Sequence, residues 1–256
     1  MTADADMRTI VDALGLPPDA RVDARVPKKL LVEQGAPTTA DKRAIQDGID
    51  ELQWFAACKP TTIGVPAFSD DTREYLEIAI VGCALRPGAK SARLVELIHR
   101  AIPYPVLLIT TDAGGATLSA AHKRKAQNEA GRVVIELLVV AEGLRAQNSD
   151  ATQAAFFESL SLALQPRSNL YALYAGWFAR IEALSAARLT GHFEVSDDTD
   201  VVRRRRDALA AHAGLVKEID ALRSGAKREK QLSRRVDLNM KMQRLTAQLG
   251  QLVRDL

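Results

Sequence analysis

Residues 74–85, EYLEIAIVGCAL, put apolar side chains on both faces of an extended chain. Tyr75, Ala79, Val81 and Cys83 fall on one face with Glu77, and Leu76, Ile78 and Ile80 on the other. A strand with one wet face alternates polar and apolar residues, so this one belongs at the centre of a sheet covered on both sides. The polar turn SDDTR joins it to TIGVPAF, which predicts a β-hairpin whose first strand, carrying Pro66, sits at an edge. Downstream, RPGAK breaks the strand, and Ser91 to Ala101 reads as a helix with Leu94, Leu97 and Ile98 toward the sheet.

The segment PYPVLLITT is a fully apolar run of the kind buried strands use. GGATLSAAHKR and GRVVIELLVV read as two more strands, the first leading into a short helical piece around His122, with Gly114-Gly115 as a turn. Upstream, Met7 to Leu14 reads as a helix stopped by Gly15 and Pro17-Pro18, and RVDARVP as extended chain. Ile45, Ile49, Leu52 and Phe55 recur at three- or four-residue spacing and predict one helix running through them. Residues 1–145 are therefore expected to form an α+β domain, a roughly five-stranded sheet with flanking helices.

Strand signals stop after residue 145. Residues 146–195 read as a helical region divided by Pro166 and ended by Gly191, with aromatic residues such as Tyr174, Trp177 and Phe178 in its core. Residues 196–256 read as a basic C-terminal coiled-coil arm or helical hairpin. Leu238, Met242, Leu245, Leu249, Leu252 and Leu256 alternate steps of four and three, and Leu215, Ile219 and Leu222 make a second short seam. The stretch RSGAKREK between the seams predicts a fold-back. Residues 201–256 hold fourteen Lys/Arg against six Asp/Glu, while residues 1–200 hold twenty-one against twenty-six. A basic tail on a mildly acidic body suits a polyanion or an acidic partner surface.

The chemistry of the chain is sparse. GxxxxGK[ST] and GxGxxG are absent, which argues against nucleotide hydrolysis. Cys58 and Cys83 lack paired spacing and read as buried thiols, and the four histidines are too scattered for a metal motif, so no metal or cofactor is expected. No apolar run is long enough to span a bilayer and the N-terminus lacks a signal-peptide layout, so a cytoplasmic protein with no membrane association is expected. No complete catalytic set stands out. The helix–hairpin–helix–strand order invites comparison with metal-dependent nucleases; Asp71, Glu77 and Lys123 are the candidates for that alternative, although Ala79 stands where such a site needs lysine. Lys123, Arg124 and Lys125, the run Arg203, Arg204, Arg205 and Arg206, and Lys227 with Arg228 are candidate phosphate contacts. Four successive arginines point around all sides of a helix, so they bind without reading sequence.

RVPKKLLVEQGAPTTADKRAIQDGIDELQWFAACKPTTIGV, EYLEIAIV, IHRAIPYPVLLI, LSAAHKR and KREKQLSRRVDLNMKMQRL, in this order, resemble the bacterial family called domain of unknown function 4391. The resemblance covers nearly the whole chain. It implies company with helicases and DNA methyltransferases in restriction-like or antiphage gene clusters, and no mechanism. The resulting expectation is a non-catalytic accessory subunit that docks on such a partner through Leu238, Met242, Leu245, Leu249 and Leu252 and contacts DNA phosphates. A free-standing nucleic-acid binder is a further alternative, and the seam also allows self-association.

Overall fold

The computed structural model describes residues 2–126, 133–147, 150–254 and 256. In chain order the elements are α1 (Thr2–Ala13), β1 (Arg21–Arg25), α2 (Lys28–Gly35), α3 (Thr39–Gly48), β2 (Ile49–Cys58) and a single helical turn α4 (Pro60–Ile63). Then come β3 (Phe68–Ser69), β4 (Glu74–Tyr75), β5 (Ile78–Leu85), α5 (Ser91–Ala101), β6 (Val106–Asp112), β7 (Gly115–Lys125) and β8 (Val133–Leu144). The rest is helical: α6 (Ala151–Ser159), α7 (Leu170–Thr190), α8 (Thr199–Arg228) and α9 (Leu232–Arg254). Two compact units result, Met1–Ile181 and Glu182–Leu256. Among the described residues no helix is long and apolar enough to cross a membrane.

The first unit is α+β. Its mixed sheet runs β1-β2-β5-β6-β7-β8, and β3 pairs with β4 as a separate ribbon. Neighbours are antiparallel except β5 and β6, which are parallel and joined across the sheet by α5. Strand β5 is interior, as its two apolar faces require. Ala79, Val81 and Cys83 pack with Leu31 of α2, Ile45 of α3 and Leu94, Leu97 and Ile98 of α5. The opposite face of the sheet meets α1. Gly82 of β5 lies so close to it that an added Cβ would fall 2.6 Å from Met7 Sδ and 2.2 Å from a ring carbon of Phe55. Thr38 caps α3 by accepting the Asp41 N–H at 3.1 Å, and the Asp41 carboxylate holds Arg93 of α5 at 2.9 Å. That guanidinium and the Thr38 hydroxyl keep the Asp41 carboxyl below its usual range.

Three details depart from the periodicity. The helix through Ile45 ends at Gly48, and Ile49–Cys58 is a strand. Its register slips between Ile49 and Glu51 and again between Trp54 and Ala56. Each extra residue turns the strand period of two into an apparent three, which is how Ile49 and Leu52, three apart, both reach the core beside Ile45. TIGVPAF is mostly not a strand: Pro60–Ile63 is helical, closed by Gly64 in the left-handed region, and only Phe68–Ser69 pairs across the SDDTR turn. Residues around His122 remain strand, because β7 is held on both sides by β6 and β8.

On the other side from α5, the first half of α7 fills the sheet. Tyr174, Trp177 and Phe178 are fully buried. The Tyr174 hydroxyl accepts the Ala121 N–H at 2.7 Å and donates to Val106 O at 2.8 Å, and the Phe178 ring lies tilted against His122 with 4.5 Å between centroids. Gly191, at φ +81°, ends the helix as its position predicts.

The second unit is a helical hairpin. Chain reversal occurs at Glu229–Gln231, later than Gly225, which lies inside α8. Lys241 of α9 pairs with Glu218 of α8 at 2.8 Å, and the side chain of Leu238 approaches Gly225, so the helices run antiparallel. The α8 seam, Leu215, Ile219, Leu222 and Ala226, and the α9 seam from Leu238 to Leu252 are the covered rows of the two helices.

Gly82→Ala is expected to cost about 1–3 kcal/mol, because the core at Phe55 and Met7 has no room for a methyl group. Urea unfolding measures it. In a Phe55→Ala background the same substitution should cost clearly less, and equal costs in both backgrounds would show that the crowding is not at Phe55.

Candidate functional site

Parallel pairing of β5 with β6 returns the chain to the end of the sheet where β5 starts, and antiparallel β7 finishes there. The link between α5 and β6, Ile102-Pro103-Tyr104-Pro105, therefore passes beside Lys123. Residues that precede proline are held extended, and Ile102 is so, at φ −96° and ψ 117°. Carbonyls two residues apart in extended chain point to the same side. Those of Ile102 and Tyr104 converge on the Lys123 ammonium nitrogen, which donates to them at 2.6 and 2.7 Å.

Lys123 is 5% exposed. No carboxylate among the described residues pairs with it, and burial alone pushes its pKa down to about 7. Its neighbour on the same face is His99 of α5, fully buried, with Nε2 3.0 Å from Ser119 Oγ and no partner for Nδ1. Burial first, and the Lys123 charge second, hold that imidazole well below its usual range.

Lys123 lines a cavity of about 690 Å³. Leu76, Pro103, Tyr104 and Pro105 give it apolar walls, and Lys59, Glu74, Glu77, Arg124 and Lys125 supply charge. Lys59 and Glu77 form an ion pair across 3.1 Å. Burial, then the Glu77 charge, raises the Tyr104 phenol above its usual range. Trp54, anchored by its Nε1 to Ala56 O at 2.7 Å, stacks on Tyr104 with 6.5 Å between ring centroids.

Glu77 and Lys123 thus share one cavity. Asp71 does not join them: it stays exposed in the SDDTR turn, which Asp70 organises by accepting from Thr72 N and Arg73 N. Glu77 is taken by Lys59, Lys123 by carbonyls, and the described residues contain no group of three His, Cys, Asp or Glu able to hold a metal ion. This donor set does not suit a divalent cation. Cys58 and Cys83 are buried free thiols, both pushed up to about 12 by burial.

The basic residues divide similarly. Lys123 is buried, whereas Arg124 is half-buried and Lys125 is exposed, donating to Asp70 O at 3.2 Å. In the arginine run, Arg203 pairs with Asp200 at 2.8 Å, Arg204 is exposed, Arg205 is buried and Arg206 grips both Glu182 oxygens at 2.6 and 3.2 Å. Arg205 and Arg206 therefore serve the interior of the unit, and Arg203 is held in an exposed pair on its surface. Lys227 and Arg228 close α8, where cations favour the helix C-terminus. Leu238, Met242, Leu245, Leu249 and Leu252 are all half-buried, because α8 covers their row.

The Lys123 pKa makes stability depend on pH. Its folded pKa lies below the ordinary lysine value, so above pH 7 the folded state releases a proton that the unfolded chain keeps, and folding gains. The penalty of burying the charge is complete below about pH 7 and is relieved toward 10.5. Above pH 9 the unfolded thiols ionise while Cys58 and Cys83 do not, which opposes this gain. Between pH 7 and 8.5, wild type is expected to gain stability over Lys123→Met by up to about 1.4 kcal/mol per pH unit in urea unfolding. A constant difference would refute the shifted lysine.

A family model described as "Domain of unknown function (DUF4391)" matches residues 14–249, nearly the whole chain. No curated protein and no solved structure matches it. The chain belongs to the DUF4391 family.

Proposed function

We propose that the chain is a non-catalytic accessory subunit of a bacterial DNA-processing assembly of the restriction-like or antiphage kind. In this reading it docks on a helicase or DNA methyltransferase through the helical hairpin, and cations of the hairpin assist at DNA phosphates. The observation that carries the reading is an uncovered apolar stripe. Leu232, Val236 and Met240, spaced by four on α9, are 67%, 47% and 46% exposed. They lie apart from the seam that α8 covers. Two helices alone cannot enclose both rows, and none of the described residues of α9 is fully buried. A third surface laid on the stripe would remove its remaining apolar area from water, at about 1 kcal/mol per side chain, roughly half the value for burying a fully exposed one.

The charge of this region supports a DNA-processing partner over an arbitrary one. Fourteen Lys/Arg stand against six Asp/Glu in residues 201–256, and Arg204, Lys227 and Lys230 are exposed. Such a surface attracts phosphate without reading bases. The Asp71, Glu77 and Lys123 alternative draws no comparable support from its geometry.

Tagged full-length protein recovered from its own host is expected to retain a helicase or methyltransferase, identified by mass spectrometry. Leu232→Ser with Val236→Ser and Met240→Ser should lower that recovery more than tenfold, with circular dichroism unchanged. Recovery of no DNA-processing protein, or equal recovery by the folded variant, overturns the reading. Salt-sensitive DNA binding by the chain alone, with no protein partner recovered, would favour a free-standing binder instead.

A further inference from the structure

Lys123 is under-provided for a charged side chain and well provided for a neutral one. An ammonium has three N–H donors, an amine two N–H donors and a lone pair. The cage offers two acceptors, Ile102 O and Tyr104 O, at 2.6 and 2.7 Å, and no third acceptor among the described residues. The neutral amine therefore satisfies the cage completely and keeps its lone pair. The other lysine of the cavity differs, since Lys59 is half-exposed and neutralised by Glu77.

We propose that Lys123 is a covalent capture site, at which the caged amine condenses with a small aldehyde or α-keto acid that carries an anionic group. This is independent of the docking surface on α9. The amine lone pair attacks the carbonyl carbon, both amine hydrogens leave with the carbonyl oxygen as water, and a C=N bond forms. Protonation of that nitrogen returns one N–H donor to the cage. The anionic group is specified by the cavity rim: Arg124 and Lys125 make hydrogen bonds only to main-chain oxygens, at 3.5 and 3.2 Å, and pair with no carboxylate among the described residues. Leu76, Pro103 and Pro105 supply walls for a short carbon skeleton. Desolvated lysines act as imine-forming nucleophiles because burial keeps the amine neutral near pH 7. None of the titratable groups around it supplies a paired counter-charge. His99 of α5 is neutral, the Tyr104 phenol is neutral, Glu77 is spent on Lys59, Glu74 lies on the rim, and Arg124 and Lys125 add positive charge.

The test treats the full-length protein with glyoxylate and sodium cyanoborohydride, which reduces an imine to carboxymethyl-lysine, and maps the product by peptide mass spectrometry. At pH 7, Lys123 is expected to react roughly tenfold faster than exposed Lys29 and Lys90, a margin well inside the difference in neutral-amine fraction. Its rate should level off just above pH 7, where that of an ordinary lysine amine would still climb toward pH 10. Arg124→Ala with Lys125→Ala should slow the reaction of Lys123 with glyoxylate several-fold and leave its reaction with propionaldehyde unchanged. Both wild-type readouts are independent of any variant's folding, and unfolding in urea should abolish the preference. Labelling of Lys123 no faster than that of exposed Lys29 and Lys90, or a Lys123 rate that keeps climbing to pH 10, overturns the proposal. Equal slowing of glyoxylate and propionaldehyde in the double variant overturns the anionic specificity.

Discussion

The parallel pairing of β5 and β6 is the constraint on which the rest of the first unit depends. Parallel neighbours cannot be joined by a tight turn, so the chain must cross over the sheet, and α5 is that crossing. The crossing covers one face of β5 with Leu94, Leu97 and Ile98. It also returns the chain to the end where β5 begins, through a linker whose prolines cannot donate and whose Ile102 and Tyr104 carbonyls are left to find a donor. Lys123 is that donor. The cavity is thus a consequence of topology: a crossover that ends in Pro-Tyr-Pro beside an antiparallel β7 delivers two carbonyls and one lysine to the same spot.

Much of this is legible in the chain, for physical reasons that vary by element. The central position of β5, the α5 face, the buried strand β6 and the two C-terminal seams follow from patterns long enough to repeat. Strand β2 does not, because its two bulges shift the buried positions until they imitate a helix. Ile45, Ile49 and Leu52 do share one core, so the periodicity locates the burial correctly and mistakes the backbone that achieves it. TIGVPAF fails for a different reason: Lys59-Pro60 opens a helical turn closed by Thr62 accepting the Lys59 N–H at 2.9 Å, a local device stronger than the β-propensity of Ile63 and Val65. At the site, Ile-Pro-Tyr-Pro and Lys123 each stand out as residues. Their meeting is decided by strand order, to which spacing along the chain is blind. The Lys59–Glu77 pair and the His99–Ser119 contact escape for the same reason.

The hairpin of the second unit illustrates how one helix can satisfy its own chain and still present a surface. The seam of α9, with steps of four and three, drifts around the helix relative to the strict four-residue stripe Leu232–Val236–Met240. The first row faces α8 and is half-buried; the second is left in water. The charge of this stretch stands elsewhere on the helix, at Arg234, Arg235 and Lys241, the last paired with Glu218 of α8, and not on that second row.

His99 shows how the interior tolerates two adjacent bases. Ser119 Oγ lies 3.4 Å from Leu108 O and 3.0 Å from His99 Nε2. If the serine donates to the carbonyl, Nε2 carries the proton and donates to Oγ, which leaves Nδ1 as an unpaired acceptor. The other tautomer would leave a buried N–H unpaired at Nδ1, which is the more costly orphan. The Nε2–H form is therefore favoured, and it is a neutral one. With His99 neutral, no carboxylate among the described residues pairs with Lys123 to stabilise its charge. What remains is desolvation, and desolvation alone lowers the Lys123 amine to about 7, where its uncharged form is already well populated at neutral pH.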